Sequence, residues 1–327
     1  MHLIRSLAAG LLAGLAGFLA LAPALAQAPR FPAKPLRLVV PFAAGGVTDV
    51  VARLYAEELG KGLGQPVVVE NKTGANGAVA MDSVKQAPAD GHTLMLATVG
   101  TQAINPALFP ALRYRPQDIE FVSMLTTVPQ ILVVPAASPT RSVGDFVAEA
   151  KARPGKLSYG SSGIGSAPHL AVEIFAGRAA VSAVHVPYRG SSQSITDLIA
   201  GQLDFMIDPV TTTMPFIKAG KLRALAVSTP HRLAALPEVP TIAESGYAGY
   251  DVGVWNGVAV LAGTPKPVIE RLAAESARIL AGAEIRRRVQ EVGAEVFPAT
   301  PAEAQAFVEA EQAKYAQVIR AAGIKPE

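Results

Sequence analysis

The stretch Leu36-Arg37-Leu38-Val39-Val40-Pro41-Phe42-Ala43-Ala44-Gly45-Gly46-Val47-Thr48-Asp49 decides how the rest of the chain is read. Its first half is a short apolar, β-branched run closed by a proline, the pattern of a strand buried on both faces. Its second half is a glycine pair leading into the amphipathic stretch Thr48–Leu59. Strand, glycine turn and helix together make the opening of a βαβ unit. Adjacent glycines let backbone N–H groups approach a ligand closely. The N-terminus of the helix adds unpaired N–H groups and a partial positive charge, which suits an anion. No Gly-Lys-Ser/Thr follows and Gly-x-Gly-x-x-Gly is absent, so this is neither a phosphate loop nor a dinucleotide fingerprint. The same residues read equally as an ordinary turn capped by Thr48 or Asp49.

Outward from this unit the pattern repeats. Strands are expected at Leu36–Phe42, Val67–Asn71, His92–Thr98, Gln130–Pro135, Leu157–Gly160, Ser182–Tyr188, Leu203–Asp208, Leu222–Thr229 and Val254–Leu261. Helices are expected at Thr48–Leu59, Gly77–Gln86, Val143–Ala152, Pro168–Ala176, Ser192–Ala200, Pro267–Ala281, Glu284–Val292 and Pro301–Ala322. Ser142 with Asp145, and Thr300-Pro301-Ala302-Glu303, mark helix starts. Gly177 and Gly323 mark helix ends. The alternation predicts an α/β fold with mostly parallel sheets flanked by helices. Chain crossings are expected near Val134–Ser142 and Asp251–Val258. They divide the molecule into two lobes, 27–134 plus 254–327 and 135–253, with a cleft between them.

The N-terminus carries a different signal. Leu7–Ala26 contains no charge and ends in Ala24-Leu25-Ala26, the small-x-small pattern of a signal-peptidase site. Residues 1–26 are therefore expected to be a signal peptide cleaved near Ala26, and the mature protein to be periplasmic. About 20 apolar residues also suffice for a membrane anchor, but this run is rich in Ala and Gly, holds Pro23 and has no basic cluster after it. The chain has no cysteine, which excludes lipidation after the cleavage site, disulfides, thiolate metal sites and a cysteine nucleophile. The net charge of +3 is scattered apart from Arg286-Arg287-Arg288. Without a basic stripe and interleaved aromatics, nucleic acid is not an expected partner.

Ligands of open α/β sheets bind beyond the carboxyl ends of the strands, and five loops there are rich in small polar residues. They are Pro41–Asp49, Thr98–Gln102, Tyr159–Ser166, Tyr188–Ser192 and Asp208-Pro209. Together they predict a polar, neutral, donor-rich cleft. Asp208 is the one acidic residue placed there, and it reads equally as a helix cap beside Pro209. Tyr188 and Arg189 read as a ligand clamp or as surface. Catalysis is the rival. Ser161 or Ser162 with His169 or His185 suggests a hydrolase, but Gly160-Ser161-Ser162-Gly163-Ile164 fails the Gly-x-Ser-x-Gly elbow. No nucleophile–base pair and no metal set is expected, so the chain is read as a binding protein, not an enzyme, with no cofactor.

Many motifs in register resemble one family. They include Pro41-Phe42-x-Ala44-Gly45-Gly46-x-Thr48-Asp49, Val67-Val68-Val69-Glu70-Asn71-Lys72-x-Gly74-Ala75-x-Gly77 and Asp90-Gly91-x-Thr93-Leu94. Further along are Gly165-Ser166-x-x-His169-Leu170, His185-Val186-Pro187-Tyr188-x-Gly190, Asp197-Leu198-x-x-Gly201-Gln202 and Ala262-Gly263-Thr264-Pro265. The set resembles the solute receptors of tripartite tricarboxylate transporters, the Bug family. The resemblance implies a two-lobed, Venus-flytrap periplasmic binding protein. It would take a small carboxylate on backbone N–H groups, hydroxyls and ordered waters. It implies a monomer that hands its cargo transiently to integral membrane transporter subunits. The expected ligand contacts are Phe42, Ala44, Gly45, Gly46, Thr48 and Asp49 from the first loop, and Thr98 and Thr101 from the second. Ser161, Ser166 and His169 come from the third, Gly190 and Ser191 from the fourth, and Asp208 from the fifth. Three positions depart from the family pattern: Ala43 in place of Pro, Val47 in place of a third Gly, and Asn256 in place of an aromatic. Two other readings stand beside the receptor: a periplasmic enzyme acting on a small organic acid, and a ligand-sensing partner of a membrane kinase.

Overall fold

A computed structural model describes residues 31–188 and 190–326. The expected leader and its cleavage point at Ala26 lie outside them. One compact unit begins at Lys34 and carries every element that follows.

Strand β1 (Leu36–Val40) is followed by helix α1 (Val47–Leu63) and strand β2 (Val67–Asn71). A 3-10 turn (Ala75–Gly77) leads into α2 (Ala78–Lys85), then β3 (Thr93–Thr98), a π-helical turn (Gly100–Ile104) and α3 (Asn105–Leu108). β1 pairs parallel with both β2 and β3, as βαβ connections require. All six residues of β3 are buried. α1 stops at Gly64, whose φ of 71° lies in the left-handed region that ends helices.

The next strand, β4 (Ile119–Pro135), is 17 residues long, about three times the usual length. Its first half pairs antiparallel with β9 (Gly253–Leu261), from Ile119↔Leu261 to Pro129↔Gly253. Its second half lies between β7 (Met206–Pro209) and β8 (Leu222–Val227), again antiparallel. Only Gln130–Pro135 was expected to be a strand. In the structure Pro129, which lacks a donor, sits where β4 changes partners, and the strand runs through it.

The intervening elements are α4 (Val143–Ala152), β5 (Ser158–Ser161), α5 (Ala167–Ala179), β6 (Val184–Pro187), α6 (Ser191–Ile199) and α7 (Val210–Lys218). β5 and β6 pair in parallel, and a bridge between Tyr159 and Phe205 ties them towards β7. α5 passes through Gly177 and ends at Ala180, which takes the left-handed conformation at φ 51°. α7 has no counterpart among the expected helices; its start, Val210-Thr211-Thr212-Thr213, is β-branched, which lowers helix propensity. The Thr212 and Thr213 hydroxyls lie 2.7 and 3.2 Å from Pro209 O, so side chains of the first turn bond back to the cap carbonyl. After β9 come α8 (Lys266–Ala281), α9 (Ala283–Glu291), β10 (Glu295–Val296) and α10 (Pro301–Ala321). The expected caps are present at Ser142 and at Thr300 with Glu303.

The order of the first sheet is β10-β4-β9-β3-β1-β2. The α/β class and the flanking helices agree with the sequence reading, but the central pairings are antiparallel. The cause is the return path. β9 comes back from the region holding β5–β8 and starts where β3 ends, with Asn256 opposite Thr98. It can then only run opposite to β3.

Helices are fastened to the sheet by buried polar contacts. Tyr55 and Ser276 hydroxyls meet at 2.7 Å between α1 and α8. The Trp255 indole N–H donates to Glu311 at 2.9 Å, joining β9 to α10. A third contact ties the crossings. The fully buried Ser228 Oγ accepts from Gln130 N (2.8 Å) and donates to Val252 O (2.6 Å). Ser228 N donates to Gln130 O (2.8 Å), and Val252 N to Ser228 O (3.2 Å). Gln130 in the outgoing strand and both ends of the 228–252 connection, which leads from β8 back to β9, therefore meet at one side chain. Ser228→Ala leaves a buried N–H and a buried C=O without partners, so it is expected to cost about 1–3 kcal/mol. Urea unfolding should show a lower midpoint with an unchanged slope.

Candidate functional site

The strand ends of both sheet regions open onto one cavity of about 540 Å³, within the roughly 300–1,000 Å³ of small-molecule sites. Four helices begin at its wall. α1 contributes Gly46, Val47 and Thr48; α5 contributes Ser166, Ala167 and Pro168; α6 contributes Gly190, Ser191 and Ser192; α7 contributes Pro209 and Thr212. In α1 the first intrahelical bond is Val50 N to Gly46 O (3.0 Å), which leaves the N–H groups of the first turn to a ligand. Each helix N-terminus carries roughly half a positive charge. Among the described residues, no Lys, Arg, Asp or Glu lines the cavity.

Of the expected contacts, Phe42, Gly46, Thr48, Thr98, Ser166, Gly190 and Ser191 line this cavity. Ala44, Gly45, Asp49, Thr101, Ser161, His169 and Asp208 stand outside the lining, and most of these hold the residues that do line it. Asp49 is buried and accepts from Gly45 N, Arg53 Nε and Asn71 Nδ2, each at 2.9 Å. Burial pushes its carboxyl up, but the hydrogen bonds from Arg53, Gly45 and Asn71 outweigh this and hold it below the usual range. Thr101 Oγ1 accepts from Thr98 N (3.0 Å), and Thr101 N donates to Thr98 Oγ1 (3.3 Å). The two hydroxyls also lie 3.4 Å apart and Thr101 Oγ1 donates to Thr98 O at 3.2 Å, so the pair is closed on itself. Gly45 is exposed at φ 87°, so its glycine serves the turn.

The third loop rests on stacked rings. His169 and His185 lie 3.9 Å apart at 7°, with Tyr159 stacked on His185 at 4.9 Å. His169 Nδ1 accepts from Gly165 N (3.0 Å), which puts the ring hydrogen on Nε2. Burial pushes both imidazoles down to about 4, helped at His169 by its neighbour, so the stack is neutral at pH 7. Gly165 has no room for a side chain: a Cβ there would lie 2.3 Å from Leu108, and its φ is 71°.

One expectation is overturned here. Ser161 Oγ and His185 Nε2 are 2.7 Å apart, so a serine–histidine pair does exist. Its geometry is that of a loop brace. Ser161 is fully buried, its hydroxyl is also bonded to Gly163 O (3.0 Å) and Gly163 N (3.1 Å), and Ser162 is the serine that faces the cavity. A nucleophile must reach its substrate.

Asp208 is fully buried, and no salt bridge reaches it among the described residues. It accepts from Ser191 Oγ (2.7 Å) and from Thr212 Oγ1. Burial pushes its carboxyl up to about 6 despite these two donors. The sequence reading missed several lining residues. Asn76 holds a left-handed turn (φ 47°) and exchanges hydrogen bonds with Asn105: Nδ2 to Oδ1 at 2.7 Å, and Asn105 Nδ2 to Asn76 O at 2.9 Å. The glycines at 74 and 77 around Asn76 were its only signal. Ser162, Ser192 and Thr212 lie beside expected residues, and Asn256 was singled out only as a departure in one wall.

The family model described as tripartite tricarboxylate transporter family receptor matches residues 51–324. Protein BugT of Bordetella pertussis is 34% identical over 301 residues, covering 91% of this chain and 92% of that protein. The solved structure of R. palustris Rpa4515 with adipate superposes with a TM-score of 0.79 at 37% identity, over 91% of this chain and all of that one. MatC (Rpa3494) from Rhodopseudomonas palustris with bound malate superposes at 0.74 and 33% identity, over 88% of this chain and all of that one.

The titration of Asp208 has a checkable sign. Its folded value of about 6 lies above the ordinary 3.8. The protonated form is favoured on folding, so its stabilisation is complete below pH 3.8 and lost as pH rises through 6. The two histidines act in the opposite direction, losing stability as pH falls from 6.5 towards 4. Their effect cancels when the wild type is compared with Asp208→Asn. Between pH 4 and pH 7 the wild type should lose on the order of 3 kcal/mol relative to the variant. A difference in unfolding free energy that stays flat over this range would show that Asp208 keeps its charge throughout.

Proposed function

Because this chain belongs to the tripartite tricarboxylate transporter receptor family, we propose that it captures a small carboxylate in the cavity and delivers it to integral membrane subunits of such a transporter. The observation that carries this reading is the convergence of four helix N-termini on a cavity whose described lining has no charged side chain. An anion is stabilised there by aligned N–H groups. The adipate and malate in the related structures are anions of this kind.

In this proposal the chain forms two lobes, 27–134 plus 254–327 and 135–253, which close on the ligand. The change of partners in β4 at Pro129–Gln130 and the Ser228 tie support a pivot beside that boundary. α1 belongs to one lobe and α5, α6 and α7 to the other, so a bound carboxylate would hold both. Closure of this sort bends a few crossing residues and leaves the lobes rigid. The protein acts as a monomer in the periplasm after removal of residues 1–26. No helix among the described residues is long and apolar enough to cross a membrane. The ligand contacts are the lining residues, with Asp49, Thr101, Ser161, His169 and Asp208 positioning them.

Isothermal titration calorimetry against a panel of small mono-, di- and tricarboxylates tests this. At least one should bind with micromolar affinity, about −8 kcal/mol, and raise the melting temperature at saturation. A panel that produces neither heat nor a thermal shift would refute the reading. Gly46 gives a sharper probe. Its φ is −76° and a Cβ would meet nothing closer than Ala43 O at 3.8 Å. Gly46→Val should therefore fold with nearly wild-type stability, yet crowd the first N–H groups of α1 and weaken binding by about tenfold or more. Unchanged affinity in that variant would place the carboxylate away from α1.

A further inference from the structure

The donors around the cavity are accounted for above; its acceptors point to something more specific. Two hydroxyls in the wall, Ser191 and Thr212, both turn their hydrogens away from it. Ser191 Oγ donates to Asp208 Oδ1 at 2.7 Å. Thr212 Oγ1 lies against Asp208 Oδ2 and is also 2.7 Å from Pro209 O. The Thr212 hydroxyl has one hydrogen for these two acceptors. If Asp208 is ionised, that hydrogen goes to the carboxylate or to Pro209 O. If Asp208 is protonated, its own proton goes to Thr212 Oγ1, and Thr212 donates to Pro209 O. In both states Ser191 still donates to Oδ1. Whatever the charge on Asp208, these two hydroxyls offer the cavity only lone pairs.

A third acceptor in the same wall is unpaired, with its oxygen itself buried. Asn256 is 1% exposed and lies in the cavity wall. Its Nδ2 donates to Thr126 Oγ1 (3.2 Å) on the neighbouring strand, while its Oδ1 has no partner. A buried acceptor left unpaired costs about 1–3 kcal/mol, a cost that a donor on the ligand would remove. A buried carboxylate without a cation is also expensive to keep.

Resting on the carboxylate-receptor reading, we propose that the cavity selects an acid that also carries a hydrogen-bond donor, a hydroxyl or amino group. Asp208 enforces the choice by fixing Ser191 and Thr212 as acceptors, and Asn256 supplies a third. Asp208 is then a positioning residue, buried and out of the ligand's reach. A bare second carboxylate would meet lone pairs at these three atoms. A hydroxyl or ammonium would meet partners that are already oriented. Sites built to bond a donor reject analogues that lack it far more strongly than apolar pockets reject a methylene.

The test uses matched probes: malate against succinate, and 4-hydroxybutyrate and 4-aminobutyrate against butyrate. Each pair or trio is titrated by calorimetry into the wild type, Asp208→Asn, Asp208→Ala, Thr212→Val and Asn256→Leu. In the wild type at least one donor-bearing acid should bind about tenfold or more tighter than its plain counterpart. Asp208→Asn can reproduce the protonated acid, with Nδ2 donating to Thr212 Oγ1, Thr212 to Pro209 O and Ser191 to Oδ1, and should keep the preference. In Asp208→Ala Ser191 loses its acceptor, and its hydrogen is free to enter the cavity. The preference should fall to about threefold or less, with the plain acid gaining as the donor-bearing acid loses. Asn256→Leu and Thr212→Val each remove one acceptor and should narrow the ratio without that gain, and they keep the test alive if Asp208→Ala does not fold. Equal binding of both members of every set by the wild type would overturn the inference and leave the carboxylate receptor standing. So would a ratio untouched by every variant that folds. A wild type that binds none of these acids, nor any acid of the wider panel, would overturn both.

Discussion

Everything in this molecule depends on one strand serving two sheets. β4 pairs with β9 up to Pro129 and with β7 and β8 from Gln130 onward, so the two sheet regions share a single rod of backbone. A strand resists bending in its own plane, and both ends of the connection that returns to β9, Ser228 and Val252, are tied to it. The consequence for the cavity is geometric. The ends of β1 and β3, the start of β9 and the ends of β5, β6 and β7 must all come out on the same side. The helices that follow β1, β5, β6 and β7 must therefore begin there.

Once four helix N-termini meet, the remaining task is to hold their loops open without filling the space with charge. The structure separates these roles by depth. Asp49, the His169–His185 stack, Ser161 and Asp208 are all behind the wall, and each spends its polar atoms on a loop residue. Thr48, Thr98, Ser162 and Ser166 are in front. Two glycines make the packing possible. A Cβ on Gly77 would lie 2.5 Å from Thr101 and 2.9 Å from Pro41, and Gly165 is equally closed in against Leu108. These glycines let the second loop lie against the first, and the third against α3.

The fold class was legible because strand–helix alternation depends on local patterns, which the sequence displays residue by residue. The pairing directions were not, because they follow from where a chain returns after a long excursion, as β9 does. The first half of β4 lay outside the expected strands, and β4 runs on through Pro129: a proline inside a strand is tolerated only where no ladder donor is needed, and that place is fixed by tertiary structure. In the candidate site, the loops were found by their glycines, serines and threonines, but sequence could not separate residues that face the cavity from those that support it. Ser161 and Ser162 are neighbours of one type, and the alternation of the strand sends one inward and the other out. His169 and Asp208 carry the chemistry that draws attention in a sequence, and both are spent on backbone or hydroxyl partners. Asn256 and Asn76, with little to distinguish them, are at the wall.

The absence of described cationic side chains from the cavity has a physical logic for a protein that must both seize and release an acid. An arginine fork would add charge-assisted bonds of about twice the strength of neutral ones. Breaking such a pair out of a closed site leaves an uncompensated charge behind. Helix N–H groups need no such compensation, since their dipoles are fixed by the fold and return to water when the cleft opens. Their pull is also shared: α1 lies on one side of the proposed pivot and α5, α6 and α7 on the other. An anion between them is favoured most when all four are near it, so the same field that binds the ligand favours the proposed closed form over the open one. Specificity then has to come from neutral atoms. In the proposed selection those are the lone pairs that Asp208 holds in place, so a charged group would act on the ligand without its own atoms entering the site.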